Sequence, residues 1–444
     1  MSNDAVTGAA TAPMPEATAA DFLNSLVKPA HILVAISGGS DSTGLLIALA
    51  EQLKSFPHPD ISLSAATVDH GLRAASADEV LGVAALCAAR GIPHFVRRWE
   101  GEKPKNGIMA AAREARYQLL ADLASEISAD VIVTAHTADD QRETIVMRAA
   151  RRREGHDGIG TGIADAVLFD RRIWIVRPFL ACRRMDIRAY LDRHGVSWLD
   201  DPSNEDTRYE RVRTRMKLAQ DSAQAVFAGE DNAGRTALSG KAALWLDEYV
   251  IIHANALCAI DRLAFSGDAA VVAYALSYLT AALGGEVYGP GHEQMERILA
   301  FVNGGRPGRR TAGGVVFDLR RDALYLMRES RNIEPLTLMP GARAIWDGRF
   351  EVINRAEKPI CVRAAGADGE TIFPPDLPKG AVRRARAAMP LIAPDKAGMA
   401  AAVAVTPYLA PFDRFLTRFD LIFADRFSVA FGREAYMRPP LSVI

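Results

Sequence analysis

The stretch HILVAISGGSDSTGLLIALAEQL, residues 31–53, decides the fold. Residues His31–Ile36 are an apolar run of strand length, Thr43–Leu53 has the apolar spacing of a helix, and two glycines stand between them. A strand that runs through a Gly-rich turn directly into a helix is the opening half of a β-α-β unit. The junction Ser37-Gly38-Gly39-Ser40-Asp41-Ser42 also has the chemistry of an anion site. Gly38 and Gly39 permit backbone conformations closed to other residues and let the chain approach a ligand closely. Successive amide N–H groups and the helix N-terminus then meet negative charge, and the hydroxyls of Ser37, Ser40 and Ser42 add donors. No lysine follows the glycines, so the loop is not of the GxxxxGK[ST] type. Asp41 places an acid beside phosphates, which makes sense where it holds Mg2+. The plainer alternative is a tight turn with Ser and Asp capping a helix; the full hexapeptide at a strand–helix junction favours a nucleotide.

Working outward, the pattern repeats. Strand-like runs occur at Ser62–Asp69, Pro93–Trp99, Asp130–His136 and Arg172–Phe179, with helical stretches between them. This alternation implies an α/β domain, a parallel sheet with helices on both faces and ligands at the carboxyl ends of the strands. The expected organisation is a mobile tail over residues 1–20 before a first helix near Asp21, a nucleotide-binding catalytic domain over 21–217, a mainly helical domain over 218–330, and a small mixed α+β region over 331–444. Within the second domain, Pro290–Met327 reads as a helix, a Gly/Arg loop and a hairpin. In the third, GRFEVINR, KPICVRAAG and DRFSVAFGRE read as short strands.

Composition narrows the function classes. The 444 residues include 49% hydrophobic and 24% charged side chains, as in an ordinary globular protein with several cores. A net charge of -1 argues against a protein that coats nucleic acid through bulk charge. The charge is nevertheless segregated, with 17 Lys/Arg against 12 Asp/Glu between Arg142 and Lys217. Cys87, Cys182, Cys258 and Cys361 are far apart and form no CxxC pair, which argues against a disulfide framework or a zinc site. No apolar run reaches the ~18 residues of a membrane span, and the N-terminus lacks the pattern of a secretory signal. A cytoplasmic protein with no membrane partner is expected.

Four further segments carry chemistry. VDHGLR (68–73) ends a strand at the ligand edge, where Asp69 and His70 can meet a nucleotide and Arg73 an anion; a strand-end turn at Gly71 is the structural alternative. In AREARY (112–117), Arg113 and Arg116 share a helix face and can clamp phosphates or pair with surface acids. In TAHTADDQRET (134–144), Asp139 and Glu143 stand one turn apart, and Asp139 with Asp140 also suits a helix start through the dipole alone. RPFL (177–180) continues through Arg183, Ile187 and Tyr190 to WLDDPSNED (198–206), which is followed by Arg208, Arg211, Arg213 and Arg215. Those arginines line either a solvated, salt-bridged helix or contacts to RNA phosphates.

The SGGSDS loop resembles that of the PP-loop ATP pyrophosphatase superfamily. The segments together, from about Ile32 to Arg215, resemble the tRNA(Ile)-lysidine synthase family. The resemblance implies an adenine-nucleotide fold of the PP-loop kind, ATP as co-substrate with Mg2+ at Asp41, free L-lysine as second substrate, and tRNA(Ile) with a CAU anticodon as the third. It implies adenylation of the C2 oxygen of the wobble cytidine at position 34, followed by attack of the lysine amine to give lysidine, AMP and pyrophosphate. Catalytic roles then fall on Asp41, Arg113, His136, Asp139 and Asp140. Nucleotide binding falls on Ser37, Gly38, Gly39, Ser40, Asp41, Ser42, Asp69 and His70. Substrate binding falls on Arg73, Arg116, Glu143, Arg177, Arg183, Asp201, Asn204, Arg208, Arg211, Arg213 and Arg215. Arg306, Arg309, Arg310, Arg320 and Arg321 are candidate contacts to the tRNA body, with a solvated loop as the alternative, and residues 331–444 are a further candidate for tRNA contact. A homodimer stays open.

Two positions depart from the family pattern. Thr137 stands where the family usually has a second histidine, which leaves His136 the better candidate for a role. The Gly-rich stretch over 151–162 has irregular spacing. Rival readings are tRNA thiolation, which calls for paired or catalytic cysteines; NAD or GMP synthesis, neither of which predicts WLDDPSN; and a non-enzymatic RNA- or nucleotide-binding homologue.

Overall fold

A computed structural model describes residues 12–56, 58–71, 76–101, 103–104, 107–153, 162–199, 210–220, 229–393 and 402–442. The chain divides into two compact units, residues 1–228 with 438–444, and residues 229–437.

The first unit holds α1 (Pro15–Ser25), β1 (Ala30–Ala35), α2 (Ser40–Ser55), β2 (Ile61–Asp69), α3 (Ser76–Ala88), β3 (His94–Arg98), α4 (Ile108–Glu126), β4 (Val131–Val133), α5 (Ala138–Arg153), β5 (Ala166–Phe169), β6 (Ile173–Val176), α6 (Arg184–Arg193) and α7 (Glu210–Gln220). Its strands run in the order β5-β6-β4-β1-β2-β3. Neighbours from β6 to β3 are parallel, with Ile32 opposite both Leu63 and Val131. The parallel α/β sheet expected from the sequence is therefore present. Strand β1 is central, and Ile32, Leu33 and Val34 have no exposed surface. Burial on both faces is why the run is continuously apolar rather than alternating.

Several elements differ from expectation, each for a local reason. The first helix starts at Pro15, so residues 15–20 belong to it and not to a tail; Pro15 sits in its first turn, where a missing N–H costs nothing, and Ala19, Phe22 and Leu23 are buried. The run Arg172–Phe179 is half of an antiparallel hairpin, with β5 paired to β6 from Ala166 opposite Val176 to Phe169 opposite Ile173. Its two turn residues, Asp170 and Arg171, have φ of 52° and 56°. A turn of that hand usually advertises itself with Asn-Gly, and here nothing does. The chain end returns to this unit, where Leu441 bridges Leu26 and the N–H of Val27 donates to the Pro440 carbonyl at 3.1 Å.

The second unit begins with α8 (Gly229–Tyr249), β7 (Val250–His253), β8 (Leu257–Asp261), α9 (Ala269–Gly284), α10 (His292–Asn303), β9 (Gly308–Ala312), β10 (Val315–Leu319) and β11 (Ala323–Arg328). The stretch read as mainly helical thus also carries a five-stranded antiparallel sheet, ordered β7-β8-β11-β10-β9. Part of the expected Gly/Arg loop is strand β9, which pairs Arg309 with Asp318 and Arg310 with Phe317. Then follow β12 (Leu336–Leu338), β13 (Arg343–Trp346), β14 (Phe350–Asn354), β15 (Ile360–Ala364), α11 (Lys379–Ala387), β16 (Pro390–Ala393), β17 (Val403–Pro407) and α12 (Leu421–Ala430). Two three-stranded sheets, β12-β15-β16 and β13-β14-β17, share a core of Leu338, Trp346, Phe350, Val352, Ile360 and Val362. DRFSVAFGRE, expected as a strand, lies largely in helix α12: Phe423 and Phe427 are fully buried one turn apart, whereas Val429 is 57% exposed. The helical period decides, and the alternation of Phe427, Val429 and Phe431 is incidental.

Candidate active site

The site lies in the first unit, at the carboxyl ends of β1, β2, β4 and β6. After β1 the chain turns through Gly38, at φ +86°, into α2, with Gly39 as the N-cap. A Cβ at Gly38 would stand 2.7 Å from Leu199 Cδ1, and the Leu199 N–H donates to the Gly38 carbonyl at 2.9 Å. The start of the WLDDPSN segment therefore rests on the loop. Inside the loop, the Ser37 N–H donates to Ser42 Oγ at 3.1 Å, Ser42 Oγ donates to the Gly39 carbonyl at 3.1 Å, and Thr43 Oγ1 donates to the Gly38 carbonyl at 3.1 Å. These bonds fix the loop before any ligand arrives, and the first N–H groups of α2 are free of helix partners by construction.

The second wall is the start of α5. Thr137 is completely buried and caps the helix: its N–H and Oγ1 donate to Asp140 Oδ2 at 2.8 and 2.9 Å, and the Asp140 N–H lies 3.4 Å from Thr137 Oγ1. This reciprocal capping box gives Thr137, the residue noted above as a departure from the family pattern, a structural role at the helix start. Asp139 reaches across to α6, and its Oδ2 accepts the N–H of Arg184 at 2.8 Å. Its Oδ1 has no partner among the described residues. His136 Nδ1 lies 3.1 Å from Thr134 Oγ1.

The third wall is α6, and here the sequence reading missed its principal residue. Arg184 Nε donates to both Asp41 oxygens, at 3.1 and 2.9 Å, its Nη2 lies 2.8 Å from Asp41 Oδ2, and the same Nη2 is 3.5 Å from Asp140 Oδ1. One turn on, Arg188 Nε lies 3.4 Å from Ser40 Oγ, and its guanidinium lies over the Trp198 ring. Arg183, the residue chosen from the sequence, instead pairs with Asp186 on the outside of the helix at 2.7 Å. The available signal was the four-residue spacing of Arg184 and Arg188, which puts them on one face. Gly44 lets that face close in: a Cβ there would be 2.3 Å from Ile187 Cγ2. Burial pushes the Asp41 carboxyl up despite Arg184 beside it. Burial pulls the Arg184 guanidinium down, but Asp41, Asp140 and Asp139 overcome this and hold it above its ordinary value.

A different corner surrounds Tyr117 on α4. Arg113 lies over its ring at 5.1 Å, Arg177 hydrogen-bonds its hydroxyl, and Arg116 is adjacent. Burial works against ionising Tyr117, yet Arg177, Arg113 and Arg116 together keep its pKa below the usual tyrosine value. Arg177 is 4% exposed and also donates from Nη1 to the Ala164 carbonyl at 2.7 Å, so it braces the β5–β6 hairpin. Among the described residues no carboxylate pairs with Arg113, Arg116 or Arg177. Burial and the charge of Arg113 lower the Arg116 pKa, with Tyr117 opposing. His70 faces this corner. Its Nδ1 is buried without a partner, and burial, Arg116 and Lys103 hold its pKa below the ordinary value against the pull of Asp69. Asp69 itself accepts the Gly71 N–H at 2.7 Å.

Glu143, expected to bind substrate, is 2% exposed and accepts from Arg215 Nε at 2.7 Å, so these two candidates pair with each other. Arg213 is exposed on α7. Arg73, Asp201, Asn204 and Arg208, the Arg211 side chain, and most of the 151–162 stretch lie outside the described residues. In the second unit, Arg309 and Arg320 share the buried carboxylate of Asp318 at 3.6 and 2.9 Å, Arg310 lies over the Phe301 ring, and Arg306 and Arg321 are exposed.

Among the described residues no three His, Cys, Asp or Glu side chains gather into a metal site. Mg2+ takes one or two carboxylates and completes its shell with phosphates and water. Asp41 and Asp140, whose oxygens already face one cation between them, fit that demand.

The PP-loop domain family matches residues 13–222. A tRNA(Ile)-lysidine synthase of Rhizobium meliloti (strain 1021) is 43% identical, across 96% of this chain and 98% of that protein. A tRNA(Ile)-lysidine synthase of Mesorhizobium japonicum is 36% identical, across 92% of this chain and 94% of that protein. Among solved structures, the U34-tRNA thiolase NcsA of Methanococcus maripaludis aligns at 14% identity with a TM-score of 0.34, across 48% of this chain and 83% of that chain.

Proposed function

The chain belongs to the tRNA(Ile)-lysidine synthase family, and from that premise we infer how its own residues serve the ATP-dependent formation of lysidine on tRNA(Ile). It is a ligase that forms a carbon–nitrogen bond. The observation that carries the reading is the convergence of three motifs at one sheet edge: the SGGSDS loop, the Asp139–Asp140 start of α5, and the Arg184–Arg188 face of α6.

The C2 oxygen of cytosine is urea-like and leaves poorly. Transfer of AMP from ATP to that oxygen makes it a good leaving group and releases pyrophosphate. The amides of Ser37–Ser42 and the α2 N-terminus are placed to receive the developing pyrophosphate charge. Asp41, with Asp140 beside it, would hold Mg2+, which would supply neutralisation of phosphate charge. The guanidinium groups of Arg113 and Arg116, which no described carboxylate pairs, suit the adenylate or an RNA phosphate, and His70 Nδ1, without a partner among the described residues, suits a nucleotide atom. The ε-amine of free lysine, pKa about 10.4, must lose a proton before it attacks C2 and expels AMP. Asp139 suits that amine: one oxygen accepts from the α6 backbone and the other has no partner among the described residues, with His136 on the same segment.

The substrate is read as a CAU-anticodon tRNA whose loop bases are single-stranded and therefore accessible. The arginines around Asp318 in the second unit are offered as contacts to the tRNA body. No helix among the described residues is long and apolar enough to cross a membrane, and a cytoplasmic site of action is the natural reading. Thiolation is disfavoured by the cysteines: all four are unpaired in disulfides, three are buried, and burial pushes the Cys87 thiol up to about 11.

The test is incubation with ATP, labelled lysine and tRNA transcripts. Incorporation into CAU-bearing tRNA(Ile) alone is expected; absence of lysine transfer overturns the reading. With a preformed adenylate, Asp139→Asn is expected to lose lysine transfer, and full transfer by this variant removes Asp139 from the role.

A further inference from the structure

Arg184 stands where a divalent cation would meet Asp41. Its guanidinium engages both Asp41 oxygens and also faces Asp140. A carboxylate held in this way has little left to offer a metal. The helix that carries Arg184 is fixed, because Asp139 holds its backbone N–H and Gly44 is packed against Ile187. The side chain is not so constrained: it is long, and its fork suits phosphate as well as carboxylate. Ser40, on the loop itself, is already within 3.4 Å of Arg188 one turn away, so the phosphate loop is within the reach of this helix face.

Resting on the reading of Asp41 as the metal ligand, we propose that Arg184 is an exchangeable counter-ion. It neutralises Asp41 in the free enzyme, yields that carboxylate to the divalent cation when ATP arrives, and then pairs with the phosphates. Two cations cannot share the pocket until a polyanion enters, since Arg184 keeps its charge under all working conditions. The metal alone must displace a charge-assisted pair and leave Arg184 with only its longer contact to Asp140 at 3.5 Å. Together with the triphosphate it displaces the pair and supplies the replacement partner. Metal and nucleotide therefore bind with positive coupling, and Arg184 transmits it. Its role is that of a positioning residue, distinct from the acids it faces.

Mn2+ titration followed by electron paramagnetic resonance tests this without turnover, with and without α,β-methylene ATP, on properly folded protein checked by circular dichroism. Wild type is expected to bind Mn2+ weakly alone and at least about tenfold more tightly with the analogue, the scale of one charge-assisted hydrogen bond. Arg184→Gln is expected to bind Mn2+ alone about tenfold more tightly than wild type and to show a smaller gain on adding the analogue. Arg184→Lys, which keeps the charge without the fork, should fall between them. If Arg184→Gln binds Mn2+ alone no better than wild type, the exchange is overturned. Asp41→Asn separates the two layers. Weakened nucleotide-dependent Mn2+ binding in that variant supports the metal assignment, and unchanged binding overturns that assignment together with the exchange built on it.

Discussion

Around Asp41 the protein supplies both signs of charge, whereas around Tyr117 it supplies only one. In the first corner three carboxylates, Asp41, Asp139 and Asp140, are arranged about Arg184, each with a hydrogen bond or ion pair from the protein. In the second corner Arg113, Arg116 and Arg177 gather at one phenol with no carboxylate partner among the described residues. Arg177 is buried, Arg116 partly so and Arg113 exposed; a buried cation without a counter-ion is costly, and proteins tolerate it chiefly where a ligand completes the site. On the exchange proposed above, the first corner is paired before substrate arrives and changes partners when it binds. The second has no carboxylate among the described residues and, on the reading proposed above, takes its anion from the substrate. The difference predicts different responses to mutation, from large to small.

The largest effect is expected from Asp41→Asn, which should lower lysine incorporation by roughly 100- to 1000-fold, as for loss of one preorganised electrostatic contact in a transition state. Activity above a tenth of wild type would remove the acidic corner from the chemistry. Arg116→Ala should lower activity by roughly 10- to 100-fold, the worth of a charged hydrogen bond. Its melting temperature should not fall, because no acid among the described residues is orphaned in the free protein. A marked fall would reveal an internal partner and break the contrast. Gly44→Ala drives a methyl into Ile187 and should cost about 1–3 kcal/mol in denaturant unfolding, with less than additive loss when combined with Ile187→Ala. Thr137→Ala removes the cap on α5 and should cost about 1 kcal/mol, while Thr137→Ser keeps most of it. The smallest effect concerns His70. Burial and Arg116 hold its folded-state pKa below 6.5, so the unfolded chain takes up the proton first as pH falls. The stability contributed by neutral His70 is present above about 6.5 and is lost as pH drops through that value toward the folded pKa. NMR titration should show the His70 pKa rising in Arg116→Ala, by removal of the neighbouring positive charge.

Much of the first unit was legible before any coordinates. The runs around Ile32, Ala65 and Ile132 are buried in a parallel sheet, and such strands must be apolar throughout, so composition alone reveals them. The β5–β6 hairpin was not legible, because Asp170 and Arg171 adopt positive φ without the usual residues. Helix α12 was misread because the apolar alternation of Phe427, Val429 and Phe431 imitates a strand, and only packing around Phe423 and Phe427 reveals the helical face.

The sequence by itself determined the chemistry on offer: a lysine-free glycine loop with an acid at Asp41, an acidic helix start at Asp139–Asp140, and arginines spaced along later helices. Only the tertiary structure decided which arginine serves which acid. Arg183 and Arg184 are adjacent and chemically identical, but neighbouring residues on a helix point in different directions. The close approach of α6 to Gly44 turns Arg184 toward Asp41 and leaves Arg183 on the surface. Likewise Glu143 and Arg215, both plausible ligands for substrate when read along the chain, turn out to be each other's partner, because packing of α5 against α7 brings the two charges together.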